Sequence, residues 1–204
     1  MKKRFLNYAM KTLKSQYPDL TDTRLEELEY GLEGTYLTIT KLIVIIALAL
    51  ILNIFKEVVI MLFIFNILRT TGFGLHATKS WICLLSSGIT FIVFPLLSKF
   101  IVIPLVLKVI LGIISIVCIF LYTPADTKKR PIINKTRRNR YRFITTINCI
   151  ILVFISLFIP DSYSNLILFG IYSEVIIILP ITYHLFNLSY DNYKNYLVLN
   201  TESV

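Results

Sequence analysis

Long apolar runs recur from Thr35 to Leu185, most of them near the length a helix needs to cross hydrocarbon, with only short polar segments between them. Hydrophobic residues make up 56% of the 204-residue chain and charged residues 16%, and the mean hydropathy is +0.73. A water-soluble domain of this length cannot hide so much apolar surface, whereas lipid solvates it from outside. The fold class expected is therefore all-α: a polytopic integral membrane protein of about six transmembrane helices, preceded by N-terminal amphipathic helices. One membrane-embedded domain is expected, with 1–34 at the cytoplasmic interface, 35–186 as the bundle and 187–204 as a cytoplasmic tail.

Residues 2–17 read as a basic amphipathic helix. Phe5, Leu6, Ala9, Met10, Leu13 and Tyr17 form one stripe, and Lys3, Lys11 and Lys14 lie on the other side. A second short helix is expected from Thr21–Thr23, where Thr23 and Glu26 have capping-box spacing, to Gly31. The first span is expected over Thr35–Phe55. The next apolar run, Val58–Leu68, covers only about 17 Å as a helix. It either stops inside the membrane or draws in the polar flank that begins at Arg69. Further spans are expected from Ser80 to Leu97, Ile101 to Tyr122, Phe143 to Ile159 and Leu166 to Leu185.

The net charge is +9, and most of the basic residues cluster at the N-terminus and in 123–142. Such clusters beside apolar runs orient a protein in the membrane and attract anionic lipid, so no nucleic-acid partner is expected. Placing both clusters inside gives six crossings of a cell membrane with both termini cytoplasmic. The segment Arg69–Cys83 then falls on the cytoplasmic side. No long apolar core follows Met1-Lys2-Lys3-Arg4 closely, so no cleavable signal peptide is expected. Cys83, Cys118 and Cys149 show neither CxxC nor metal-ligand spacing, and no cofactor or metal is expected.

Arg69, Gly74, His76 and Cys83 form the constellation that could carry chemistry. Cys83 sits about one turn into a helix starting near Ser80, where unpaired backbone N–H groups and the helix dipole favour a thiolate. His76, in the loop entering that helix, could take the thiol proton, a minimal Cys–His nucleophile pair. Gly72 and Gly74 let the loop turn tightly or simply let helices pack. Arg69 could bind a substrate carboxylate, bind a lipid headgroup, or serve as an interfacial anchor. Glu174, near the middle of the last span, could pair with Lys108, contact substrate, or bond within the bundle in its protonated form.

The stretch Arg69-Thr-Thr-Gly-Phe-Gly-Leu-His76-Ala77, with Cys83 seven residues beyond the histidine, resembles the accessory gene regulator B (AgrB) family. So do Tyr122-Thr-Pro-Ala-Asp-Thr-Lys-Lys-Arg-Pro131 and Gly31-Leu32-Glu33. The family usually carries two adjacent glycines before the residue preceding His-Ala; Phe73 stands in place of the first. The resemblance implies a membrane-embedded cysteine endopeptidase that cuts an AgrD-like propeptide and promotes its cyclisation into a quorum-sensing peptide. It implies His76 and Cys83 as the catalytic pair and Arg69 and Gly74 as required positions.

Ser86 and Ser87 are candidate oxyanion donors, one turn after Cys83. Glu33, Lys129 and Arg130 are expected to support substrate binding, with the basic stretch attracting an acidic propeptide tail or anionic lipid. A homodimer is compatible with the resemblance, although no small-xxx-small motif marks an interface. The rival class is a small membrane transporter or peptide-export component, suited by a broken second helix and Glu174 but weakened by the lack of an inverted repeat between the halves.

Overall fold

The computed structural model describes residues 2–17, 20–75, 80–127 and 131–194. All regular structure among them is helical, and one isolated parallel bridge joins Phe73 to Ala125. The chain divides into two compact units, Met1–Leu48 and Ala49–Val204.

In the first unit, α1 (Lys2–Gln16) matches the amphipathic helix read from sequence. An ion pair between Lys2 and Glu33 and stacking of Phe5 on Tyr36, with ring centroids 5.2 Å apart, fasten it to α2. The expected break at Gly31 is absent: α2 runs unbroken over Asp22–Ile51. Each interior glycine costs a helix about 1 kcal/mol relative to alanine, too little to stop one that continues into so long an apolar run. Thr35, Thr38 and Thr40 donate their hydroxyls back to the carbonyls of Gly31, Gly34 and Tyr36, so their polar groups stay within the helix.

The second unit holds α3 (Phe55–Gly72), α4 (Ser80–Gly88), α5 (Phe94–Ser98), α6 (Leu105–Tyr122), α7 (Lys135–Ser156), α8 (Asp161–Ile178) and α9 (Pro180–Leu185). The run after Lys56-Glu57 is not short. Its polar flank through Gly72 is helical, extending α3 to 18 residues. Pro104 delays α6 to Leu105, and α7 starts inside the basic stretch, so residues 135–142 are helix rather than loop. Between α4 and α5 the helix widens into a π segment, Ile89–Val93, just ahead of Pro95, which cannot donate a backbone N–H.

The expected last span is divided at Pro180. Leu179 leaves helical geometry (ψ 137°), as a residue before proline prefers. Proline also leaves Ile176 without its usual N–H donor, and the Thr182 hydroxyl takes that carbonyl.

α8 is the central helix, with Ser164–Leu168, Gly170, Ile171, Ser173, Glu174 and Ile178 buried. It packs on α3, α5, α6 and α7. A Cβ on Gly170 would lie 2.6 Å from Ile64 of α3, and one on Gly112 of α6 would lie 2.6 Å from Val153 of α7. The helices therefore cross at glycines, as in close-packed membrane bundles.

Unlike a water-soluble bundle, this one wears large apolar side chains on its outside, and polar groups are set into a core that is otherwise mostly apolar. Val106, Ile113, Phe120, Phe154 and Ile181 face outward, while Ser98, Lys108, Thr145, Ser156, Asn165 and Glu174 are buried. Helix ends meet and satisfy one another. Asn165 Nδ2 donates to the carbonyls of Ser98 (3.3 Å) and Ile101 (2.6 Å), and the Ser164 hydroxyl donates to Ser156 O (2.6 Å). At that same end Lys99 pairs with Glu57 (3.0 Å), and Lys108 pairs with Asp161 (2.7 Å) rather than with Glu174. Among the described residues two helices, over Arg24–Ile51 and Leu105–Tyr122, are long and apolar enough by themselves to cross a membrane.

Candidate active site

At the opposite end of the second unit, the last turn of α3 organises the loop that leads toward His76. Arg69 projects back over that loop. Its Nη1 donates to Phe73 O, and its Nη2 to Gly74 O (3.2 Å) and Leu75 O (2.8 Å). Glu174 Oε2 stands 4.0 Å from Nη1, with the Glu174 side chain fully buried. A Cβ on Gly72 would come within 2.5 Å of Glu174 Oε1, so the carboxyl presses against the backbone of α3. Arg69 is thus a clamp inside the chain. Its donors face three carbonyls and Glu174.

Phe73 (φ 61°) and Gly74 (φ 102°) both adopt left-handed backbone, which turns the chain sharply out of α3. Glycine carries no Cβ penalty there, while phenylalanine does. The Phe73 ring packs against Tyr141 of α7, with centroids 5.2 Å apart.

Three backbone bonds pin the turn. Gly74 N–H donates to Ala125 O (2.8 Å), Ala125 N–H to Gly72 O (2.9 Å) and Leu75 N–H to Ile177 O (3.0 Å). The last acceptor is available because the break at Pro180 removes it from helix bonding. Gly72, Gly74 and Leu75 are buried. Seclusion of the loop therefore comes from the α8–α9 junction and the 123–127 segment bonded to it.

Cys83 lies in the first full turn of α4 and is partly buried. The Ser86 and Ser87 hydroxyls both donate to the Cys83 carbonyl, at 3.1 and 2.7 Å, so each would have to swing away to serve as an oxyanion donor. His76 falls in 76–79, and Lys129 and Arg130 in 128–130, all outside the described residues. Glu33 belongs to the first unit, where it pairs with Lys2. Among the described residues no cluster of His, Cys, Asp or Glu could hold a metal ion.

A cavity of about 520 Å³ opens at the start of α7, lined by Asn134, Thr136, Arg137, Arg140, Tyr141 and Ile144. Tyr141 links it to the turn through Phe73.

Sequence reasoning missed three components of this arrangement. The Arg69–Glu174 contact joins two residues it had singled out separately. The Ile177 carbonyl is signalled only by Pro180. Asp126, an acid amid basic residues, proves to be a buried hub. Burial pushes its carboxyl above the ordinary carboxylate range, opposed by N–H donors from Ile132, Tyr193 and Asn192 and by Arg138.

The sequence profile of the family described as Accessory gene regulator B matches residues 3–178. The accessory gene regulator protein B of Staphylococcus aureus (strain MRSA252) is 34% identical over 179 residues, covering 88% of this chain and 92% of that protein. A putative AgrB-like protein of Clostridium acetobutylicum is 32% identical over 173 residues, covering 84% and 83%. Another, from Listeria innocua, is 33% identical, covering 83% and 84%. No solved structure gives a significant match.

Proposed function

The chain belongs to the accessory gene regulator B family, and from that premise we propose that it is a membrane-embedded cysteine endopeptidase acting in quorum sensing. Its substrate is an AgrD-like propeptide, which it cuts in the C-terminal part and helps to cyclise. The observation that carries this reading is the clamp. A partly buried arginine fixes, through three carbonyls, the turn that leads to His76.

In the proposed reaction, His76 takes the Cys83 proton and the sulfur attacks a backbone carbonyl carbon of the propeptide. The C–N bond breaks, the leaving amine receives the proton from His76, and an acyl-enzyme thioester remains. A thiol within the propeptide then attacks that thioester, closes the ring and returns a proton to Cys83. Exchange of one thioester for another is nearly isoenergetic, so excluding water decides between ring closure and hydrolysis. The burial of Gly72, Gly74 and Leu75 supports such exclusion. The basic cavity at the start of α7, together with Lys129 and Arg130, would receive the acidic propeptide tail or anionic headgroups.

The chain would work as one membrane-embedded domain with six crossings: α2, α3, α4–α5, α6, α7 and α8. The C-terminal ends of α3, α6 and α8 meet the start of α7 at one end of the second unit, and their other ends meet at the opposite end. That alternation supports the count. Both termini and the basic 123–142 segment would then be cytoplasmic. The outward apolar and inward polar side chains support lipid as the surroundings.

The test is reconstitution in liposomes with an amphipathic precursor peptide that carries an internal cysteine and an acidic tail. The intact chain should release a truncated product, and Cys83→Ala and His76→Ala should each abolish it. An intact chain that releases no truncated product would return the protein to the transport or export class, and product formation that survives both changes would remove His76 and Cys83 from the reaction.

A further inference from the structure

The segment after α8 lies beyond the part of the chain that matches the family, yet its polar contacts converge on one place. Tyr183 Oη lies 3.2 Å from the carbonyl oxygens of both Ala125 and Asp126. Tyr190 Oη donates to Tyr122 O (3.3 Å), and the two tyrosine rings meet edge to face at 5.1 Å. Asn192 N–H donates to Asp126 Oδ1 (3.0 Å) and Tyr193 N–H to Oδ2 (2.9 Å), while Asn192 Nδ2 reaches Asp126 O (3.4 Å).

Asp126 is 3% exposed and also accepts from Ile132 N–H (3.3 Å), with Arg138 Nη1 at 3.7 Å. The Arg138 guanidinium in turn lies over the Tyr193 ring, 3.4 Å from its centroid. The residue immediately before Asp126 is Ala125, which exchanges two backbone bonds with Gly72 and Gly74. The chain runs on from Gly74 through Leu75 to His76.

We propose that residues 183–193 form a strap which, through Asp126 and Ala125, holds the turn leading to His76, making Asp126 a positioning residue for peptide cleavage. The cleavage part of this rests on the endopeptidase reading above. A carboxylate is suited to the task, because its two oxygens accept hydrogen bonds from the segment before α7 and from the tail at once, with the Arg138 charge of α7 nearby. A backbone carbonyl could not gather so many. Losing the strap frees Ala125 to move, and with it the two bonds that fix Gly74. A displacement of about 1 Å in a catalytic group is enough to cost around a hundredfold in rate.

The experiment compares the full chain with Asp126→Asn and with a chain ending at Leu188, all in liposomes. Hydrogen exchange at the Gly74 and Ala125 amides is followed by mass spectrometry, together with the pH dependence of iodoacetamide alkylation at the Cys83 peptide. Both altered proteins should exchange those two amides about tenfold faster or more, a local destabilisation of at least 1.4 kcal/mol. Their Cys83 alkylation profile should shift, and kcat for the precursor peptide should fall about tenfold or more with KM little changed. Amide exchange and alkylation that stay at the intact chain's values in both proteins would overturn the strap. Should Asp126→Asn fail to fold, the shortened chain decides alone. If the intact chain cleaves nothing, the endopeptidase reading fails, while exchange and alkylation still decide the strap.

Discussion

Gly74→Ala tests the clamp most directly. At φ 102° an L-residue is strained, at a cost of about 1–3 kcal/mol. The new Cβ would also sit 2.5 Å from Arg69 Nη1 and 3.0 Å from the Ile177 carbonyl oxygen. The carbonyl belongs to the end of a buried helix and cannot retreat, so the guanidinium must. Retreat sacrifices at least one charge-assisted bond to the loop carbonyls, worth roughly 1.5–3 kcal/mol. The sum is about 2.5–6 kcal/mol, and at 1.36 kcal/mol per tenfold the clamped turn becomes less populated by a factor of about seventy or more.

Initial rates on the precursor peptide in liposomes should fall by that order. Thermal unfolding should shift only modestly, since the turn can rearrange while the helices stay packed. Gly34→Ala provides the control. It lies in the interior of α2 with nothing within 4 Å of a new Cβ, and should leave the rate unchanged while stabilising the helix by about 1 kcal/mol. A Gly74→Ala protein that keeps a third or more of the intact rate would refute the clamp as described.

Gly72→Ala should impair cleavage because its methyl meets Glu174 Oε1, and Glu174→Ala should relieve it; a double-mutant cycle read in melting temperature should give a coupling of about 1–3 kcal/mol. Phe73→Gly should release about 1 kcal/mol of left-handed strain and lose a ring contact with Tyr141 of similar size. The melting temperature should then change little, and a large drop would mean the ring does more than pack. For the pair at the far end, removal of either partner should not be equivalent. Asp161→Asn leaves the buried Lys108 charge without its carboxylate and should cost about 2–3 kcal/mol, less than for a fully buried pair because Asp161 is half exposed. Lys108→Met leaves only a solvated aspartate and should cost under about 1 kcal/mol by the same thermal measurement.

The positions of α1, of the helix beginning at Ser80 and, to within a few residues, of α6, α7 and α8 could be read from hydropathy, because an apolar stripe or run records what one helix buries. Cys83 was correctly placed in the first turn of α4 for the same reason. Helix ends were less legible. Gly31 reads as a stop only if local propensity decides, and Arg69–Gly72 reads as loop only if charged residues are assumed to leave the helix. Pro180 stood in plain view but lay inside a run apolar enough to suggest continuity. Arg69 was singled out, but its intramolecular partners were not: the carbonyls it meets belong to the sharp turn just after it, whose backbone is set by contacts with Ala125 and Ile177, and Glu174 comes from a helix far along the chain. Asp126 likewise draws its donors from 132, 192 and 193, with Arg138 as a neighbouring charge.

The interruption at Pro180 sets a rule for how this chain can change. An orphaned carbonyl has a direction as well as a depth. Moving the proline by one residue would turn the exposed oxygen by about 100° around the axis of α8, away from Leu75. Length changes between Glu174 and Pro180 would misdirect it likewise, even where every side chain were kept. Substitutions there are tolerable in principle, but insertions and deletions are not, because the spacing between a buried acid and an imino acid aims a main-chain atom at a turn more than a hundred residues upstream.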